Sequence, residues 1–221
     1  MYVLLLLIGL HVAISILGFS RPAIFQRLVF RINALVVHRQ WERLITSGFL
    51  HVDVPHLFFN MFSLYLFGEV FLASHTVYAF LLIYFSSLIF GNVLSFVLHK
   101  HHLFYQAAGA SGGVSGLVFS TILLHPQMEL AFIFLPFFFP GWVFALGFLL
   151  YTFYGLVRGK DRIGHDAHLG GAMAGSLFTL VLFPEQVLRQ PWFLGLALGL
   201  PLIFLAVQQG WQKWFQRSKS A

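Results

Sequence analysis

The chain has 221 residues, of which 59% are hydrophobic and only 9% charged, with a formal net charge of +6 and no cysteine. That leaves too little polar surface for a water-soluble globule and too many apolar residues for a disordered chain, and it excludes disulfides, cysteine nucleophiles and thiolate metal sites. In so apolar a chain the positive balance points to loops lying against anionic lipid headgroups rather than to nucleic acid.

A bilayer core of about 30 Å takes about 20 apolar residues per helix. Met1 to Phe19 is the first such run, interrupted only by His11 and small polar positions. It lacks the basic start of a signal peptide and is expected to be a retained span. Between Ser20 and Val54 the chain carries Arg21, Arg27, Arg31, Arg39 and Arg43 among Leu, Ile, Val, Phe and Trp41. This reads as an amphipathic loop in the interface, its arginines snorkelling outward. Further spans are expected at Leu57 to Leu72, Val77 to Leu98, Ser111 to Leu124, Gly141 to Val157, Ala167 to Phe183 and Trp192 to Val207. The span at Ser111 is short, so its first residues are expected below the surface, under loop backbone that lines a cavity. Pro136 to Pro140 reads as a turn before the next span. Strand-like alternation is absent, so helices rather than a barrel must satisfy the backbone in lipid. The expected fold is all-α: a polytopic membrane bundle of six helices with a seventh at the C-terminus.

If the spans alternate, Lys and Arg fall almost wholly on one side, with Arg189 opposite. The positive-inside rule places that basic side in the cytoplasm.

Polar residues within spans are functional candidates. His56 and Asn60 stand at i and i+4 on one helical face, a spacing that suits a shared site and interhelical packing about equally. Gly109-Ala110-Ser111-Gly112-Gly113-Val114-Ser115-Gly116 sets a serine at a helix start, where exposed backbone N–H groups can stabilise an oxyanion. Gly112 and Gly116 also form a small-residue packing face, and on composition alone that is the stronger reading. His168, Gly171 and Gly175 share one stripe, where glycines admit a neighbouring helix closely. If that neighbour carries Ser111, a Ser–His pair at membrane depth has the parts for acyl transfer, with neutral imidazole as the base. Asp166, two positions from His168, faces elsewhere, so a dyad rather than a triad is expected. His99, His101 and His102 read as solvated or interfacial. His165 with His168 lacks a carboxylate or thiolate shell, so no metal site is expected. The sequence has no His-Glu-x-x-His and no paired aspartates deep in two spans, which disfavours zinc and aspartyl proteolysis.

Taken in order, Arg43-Leu44-x-Thr46 with Phe49-Leu50-His51, His56-Leu57-x-x-Asn60-Met61, Gly109-Ala110-Ser111-Gly112 and Ala167-His168-x-x-Gly171-x-x-x-Gly175 resemble the rhomboid intramembrane serine proteases. The likeness covers most of Trp41 to Phe183. It implies a six-helix catalytic core over residues 1–185, including the loop 20–54, followed by a hydrophobic helix and basic tail over residues 186–221. It further implies Ser111 as nucleophile and His168 as general base and acid. His56, Asn60 and the Ser111 N–H would form the oxyanion hole. Substrates would be single transmembrane helices that unwind near a small residue, the lipid bilayer is the medium, and no cofactor is implied. The likeness also implies a site open to the outside, opposite to the charge bias. A multi-pass protein of a bacterial inner membrane is the expected setting.

Three departures from the family pattern stand out. Glu42 separates Trp41 from Arg43, and Ser115 replaces an aromatic residue four positions after the serine. The acidic residue usual after the second span is missing unless Glu69 substitutes. The competing readings are a catalytically silent rhomboid-like protein that binds client helices, and a transporter. The transporter reading lacks the inverted repeats and charged midplane sites it needs.

Overall fold

The computed structural model describes residues 2–131, 137–158 and 163–207. Seven long helices dominate: α1 (Tyr2–Ser20), α2 (Val54–Ser74), α3 (Val77–His99), α4 (Ser111–Leu124), α5 (Gly141–Arg158), α6 (His165–Leu182) and α7 (Pro191–Val207). The fold is an all-α polytopic bundle. By length and composition α1, α2, α3 and α5 can each cross a membrane. Helix α4 has 14 residues, or ~21 Å, too short for a bilayer core. Helix α6 has 18 residues but carries two histidines, an aspartate and three glycines, which dilute its apolar character. Helix α7 contains a π turn at Gly195–Gly199. The basic tail lies outside the described residues, as does Pro136.

Helix α4 is buried from Gly112 through Leu123 and forms the centre of the bundle. Its packing against α6 is set by missing side chains. A methyl group at Gly171 would stand 2.7 Å from the carbonyl carbon of Gly112, and one at Gly175 would stand 2.6 Å from that of Gly116. The same holds against α3, where a methyl group at Gly91 would stand 2.6 Å from the Ala167 carbonyl oxygen. Deeper in the bundle, Thr179 Oγ1 donates to Ser120 Oγ at 2.6 Å and ties α6 to α4. Helix α5, by contrast, buries a single stripe: Gly141, Ala145, Leu149, Thr152 and Gly155.

The segment between α1 and α2 is a compact insert rather than a loose amphipathic loop. Short helical turns span Pro22–Leu28, Ile32–Val36 and Arg43–Thr46. Strand β1 (Phe30–Arg31) pairs antiparallel with β2 (Gln106–Ala107), joining this insert to the segment that leads into α4. Snorkelling fails for Arg43, which is buried and donates to the carbonyls of Gln26 at 2.9 Å and Val29 at 2.6 Å, and to Gln40 Oε1 at 2.7 Å. Three acceptors within reach make inward burial of a guanidinium tolerable. Arg21, Arg27 and Arg39 do face outward. The expected turn before α5 is instead β4 (Phe138–Pro140), paired antiparallel with β3 (Glu129–Ala131).

Candidate active site

Asp53 caps α2, its Oδ1 accepting the His56 N–H at 2.7 Å, and Pro55 occupies the first turn, where no helical N–H is needed. This cap fixes His56 at the mouth of α2. Asn60 lies one turn on, buried, and donates one N–H back to the His56 carbonyl at 2.9 Å. Its amide carries a second N–H.

Ser111 opens α4 and is half-buried. The first N–H groups of a helix have no partner within it, so those of Ser111, Gly112 and Gly113 are the donors available at this end. The chain reaches Ser111 through Gly109, whose φ of +140° suits only glycine. A side chain there would also collide with His56, since a methyl group would lie 2.6 Å from the His56 Cε1. The His56 ring thus lies against the turn that delivers Ser111, with its Nδ1 buried and without a hydrogen-bond partner.

His51, for which the family likeness implies no catalytic role, organises this turn. Its Nε2 accepts the Ala110 N–H at 3.4 Å, so Nδ1 carries the proton and donates to Ser15 Oγ at 2.8 Å. The Ser15 hydroxyl passes the chain on to the Phe49 carbonyl at 3.1 Å. Burial, reinforced by nearby His56 and His11, pushes the His51 imidazole down to about 3, so it is neutral at ordinary pH. The Gly109 N–H donates to the Ser47 carbonyl at 3.1 Å, a second tie from the insert to the serine turn. His11, which interrupts the first apolar run, is fully buried. It stacks on Phe49 at 4.5 Å, and its Nε2 lies 2.8 Å from the Tyr84 hydroxyl. In sequence, the signal for both residues is a histidine flanked by apolar residues; nothing local says what each one bonds.

His168 is half-buried in the first turn of α6, its N–H donating to the Gly164 carbonyl at 3.0 Å. A methyl group at Gly112, next to Ser111, would stand 3.3 Å from the carbonyl oxygen of Ala167, next to His168. The serine and histidine segments therefore run side by side. The His168 ring packs against Phe148 of α5, with centroids 5.6 Å apart, and edge-on to His165 at 6.0 Å.

Asp166 is indeed engaged elsewhere. Its Oδ2 accepts the Tyr105 hydroxyl at 3.0 Å and lies 3.2 Å from His99 Nε2. His99 also stacks on Tyr105 at 3.8 Å, so it is a half-buried, paired group. His101 and His102 are exposed. Among the described residues no group of three or more His, Asp or Glu could hold a metal ion. Glu69 is exposed and lines an open cavity of about 810 Å³ with Ser74, His125 and Gln190. That cavity lies at the C-terminal ends of α2 and α4, the opposite end from Ser111. A second, apolar groove of about 490 Å³ is lined by Phe139, Phe144, Phe148 and Tyr151, beside His168.

A family model described as "Rhomboid domain" matches residues 38–185. The chain is 30% identical over 154 residues to "RHOMBOID-like protein 12, mitochondrial" of Arabidopsis thaliana, covering 61% of this chain and 44% of that protein. It is 28% identical over 177 residues to "Rhomboid protease GluP" of Bacillus subtilis, covering 76% of this chain and 32% of that protein. It is 29% identical over 138 residues to the "Presenilin-associated rhomboid-like protein, mitochondrial" of Homo sapiens, covering 60% of this chain and 35% of that protein. The chain thus spans between a third and a half of the length of these relatives.

Proposed function

The chain belongs to the rhomboid family, and we propose that it is a serine endopeptidase that cleaves transmembrane helices within the bilayer through a Ser111–His168 dyad. The observation that carries this reading is the close approach of α4 and α6 on facing glycines, which sets the Ser111 segment beside the His168 segment. A serine hydroxyl is a weak nucleophile until a base takes its proton, and the His168 imidazole is the base at hand. In the proposed reaction the Ser111 Oγ attacks a substrate carbonyl carbon while His168 accepts the Oγ proton. The oxyanion is received by the Ser111 N–H, the His56 ring and the Asn60 amide. His168 then returns its proton to the departing amide nitrogen, leaving an ester on Ser111. Water, deprotonated by the same imidazole, attacks that ester, and as the bond to Ser111 Oγ breaks His168 returns the proton to that oxygen, freeing the second product.

Several features support the oxyanion role of His56. A capped helix start holds its ring against Gly109, in the turn that delivers Ser111. A preorganised donor of this kind costs no rearrangement when charge develops. Substrates are proposed to be single membrane helices that unwind near a small residue, since an intact helix hides its carbonyl carbons. The relatives' names span a bacterium, mitochondria and plant and animal sources, so they support an integral membrane protein without selecting its membrane. The bacterial inner membrane expected from the sequence draws no particular support from them.

The test is cleavage of reporter helices by the full chain in liposomes. The proposal expects defined fragments from the parent and none from Ser111→Ala or His168→Ala, with all three proteins melting alike. Reporter binding without cleavage by the parent would favour the catalytically silent reading.

A further inference from the structure

We infer that Phe148 of α5 is a positioning residue that holds the His168 imidazole in its working orientation. The inference rests on the dyad reading above. A general base must present one ring nitrogen to the serine hydroxyl, and an imidazole on a flexible bond needs a surface against which to set its plane. One turn beyond Ser111 on α4 stands Ser115, which offers no such surface. The structure supplies one from a different helix. The Phe148 and His168 rings lie 5.6 Å apart and inclined by 34°, a tilted, offset contact.

Phe148 is itself fixed. Phe119 of α4 meets it edge-on at 5.7 Å, and Phe144, one turn earlier on α5, lies nearly parallel to it at 6.3 Å. The Phe119 contact ties it to the helix that carries the serine. His165, on the same helix as His168, is tied to α5 as well. His165 stands edge-on to His168 at 6.0 Å, packs against the Tyr151 ring at 5.2 Å, and its ring occupies the space a side chain at Gly155 would need. Helix α5, attached to the bundle by one stripe, thus sets the Phe148 ring against the imidazole and contacts its neighbour His165. A displacement of α5 would carry the Phe148 ring away from the imidazole.

The test is the rate at which a small fluorophosphonate labels Ser111 in the full chain in detergent. The serine oxygen bonds phosphorus, fluoride leaves and His168 takes the proton, so no substrate helix has to bind or unwind. The parent is compared with Phe148→Leu, which keeps apolar bulk without a ring, and Phe148→Tyr, which keeps the ring. Rates are read well below the lowest melting temperature of the three. Phe148→Leu is expected to label about two- to tenfold more slowly, the span of one aromatic contact, and Phe148→Tyr at the parent rate. Parent-like or faster labelling of Phe148→Leu would overturn the inference. Equal slowing in Phe148→Tyr would also overturn it, because the ring would then not matter. An unlabelled parent would reject the dyad itself, whereas a labelled parent beside an unaffected Phe148→Leu rejects only the role of Phe148.

Discussion

Replacing Gly171 by alanine perturbs the contact on which the site depends. The added methyl group would fall on the carbonyl oxygen of Gly112 and stand 2.7 Å from its carbon and 2.9 Å from its Cα. All three are backbone atoms, which cannot rotate away as a side-chain tip would. Restoring ordinary contact requires α4 and α6 to part by about 1 Å, and overpacking of this kind costs about 1–3 kcal/mol. The same displacement moves His168 relative to Ser111, and a misplacement of about 1 Å can reduce a rate about a hundredfold. Two assays read the two effects on one sample: thermal unfolding in detergent, and the rate of reporter-helix cleavage. Gly9→Ala in α1 is the control, since nothing lies within 4 Å of its added methyl group. It should unfold no earlier than the parent, because alanine exceeds glycine in a helix interior by about 0.5–1 kcal/mol. If Gly171→Ala melted and cleaved like the parent, the glycine contact would not set the geometry of the dyad, and the reasoning would fail.

The buried histidine of the serine turn makes stability depend on pH. His51 binds its proton near 6.5 when unfolded but only near 3 when folded, so its contribution is complete above pH 6.5. It is lost as pH falls from there towards 3, at up to about 1.4 kcal/mol per pH unit. Unfolding followed from pH 7 to 4 should show a shallower slope in His51→Gln than in the parent, and identical slopes would contradict the assignment. Asp166→Ala strips the partner from Tyr105 and His99 together. With His99 partly exposed, a loss of about 2 kcal/mol is expected, visible as earlier melting; an unchanged melt would show the cluster to be marginal.

Much of the bundle is legible in sequence because lipid leaves the backbone one economical solution. The run expected at Ser111 to Leu124 coincides with α4, and that expected at Gly141 to Val157 lies within one residue of α5. The insert between α1 and α2 resists such reading because distant partners shape it. Phe30 pairs with Ala107, and Arg43 turns inward only because the carbonyls of Gln26 and Val29 converge on it. Local amphipathicity describes neither. The same limit applies at the site. The glycine and histidine motifs point to Ser111, His168, His56 and Asn60. The bond from Ala110 to His51 and the ring from Phe148, however, cross between segments far apart in the chain. His99 reads as solvated or interfacial beside Lys100, His101 and His102, and nothing local shows that Asp166, contributed by α6, pairs with it.

The most direct measurement is peptide mapping of the full chain after reaction with a fluorophosphonate. The account predicts a single phosphonylated residue, Ser111, and no adduct in His168→Ala although that variant remains folded. An adduct on another serine, or equal labelling of Ser111 without the histidine, would contradict it.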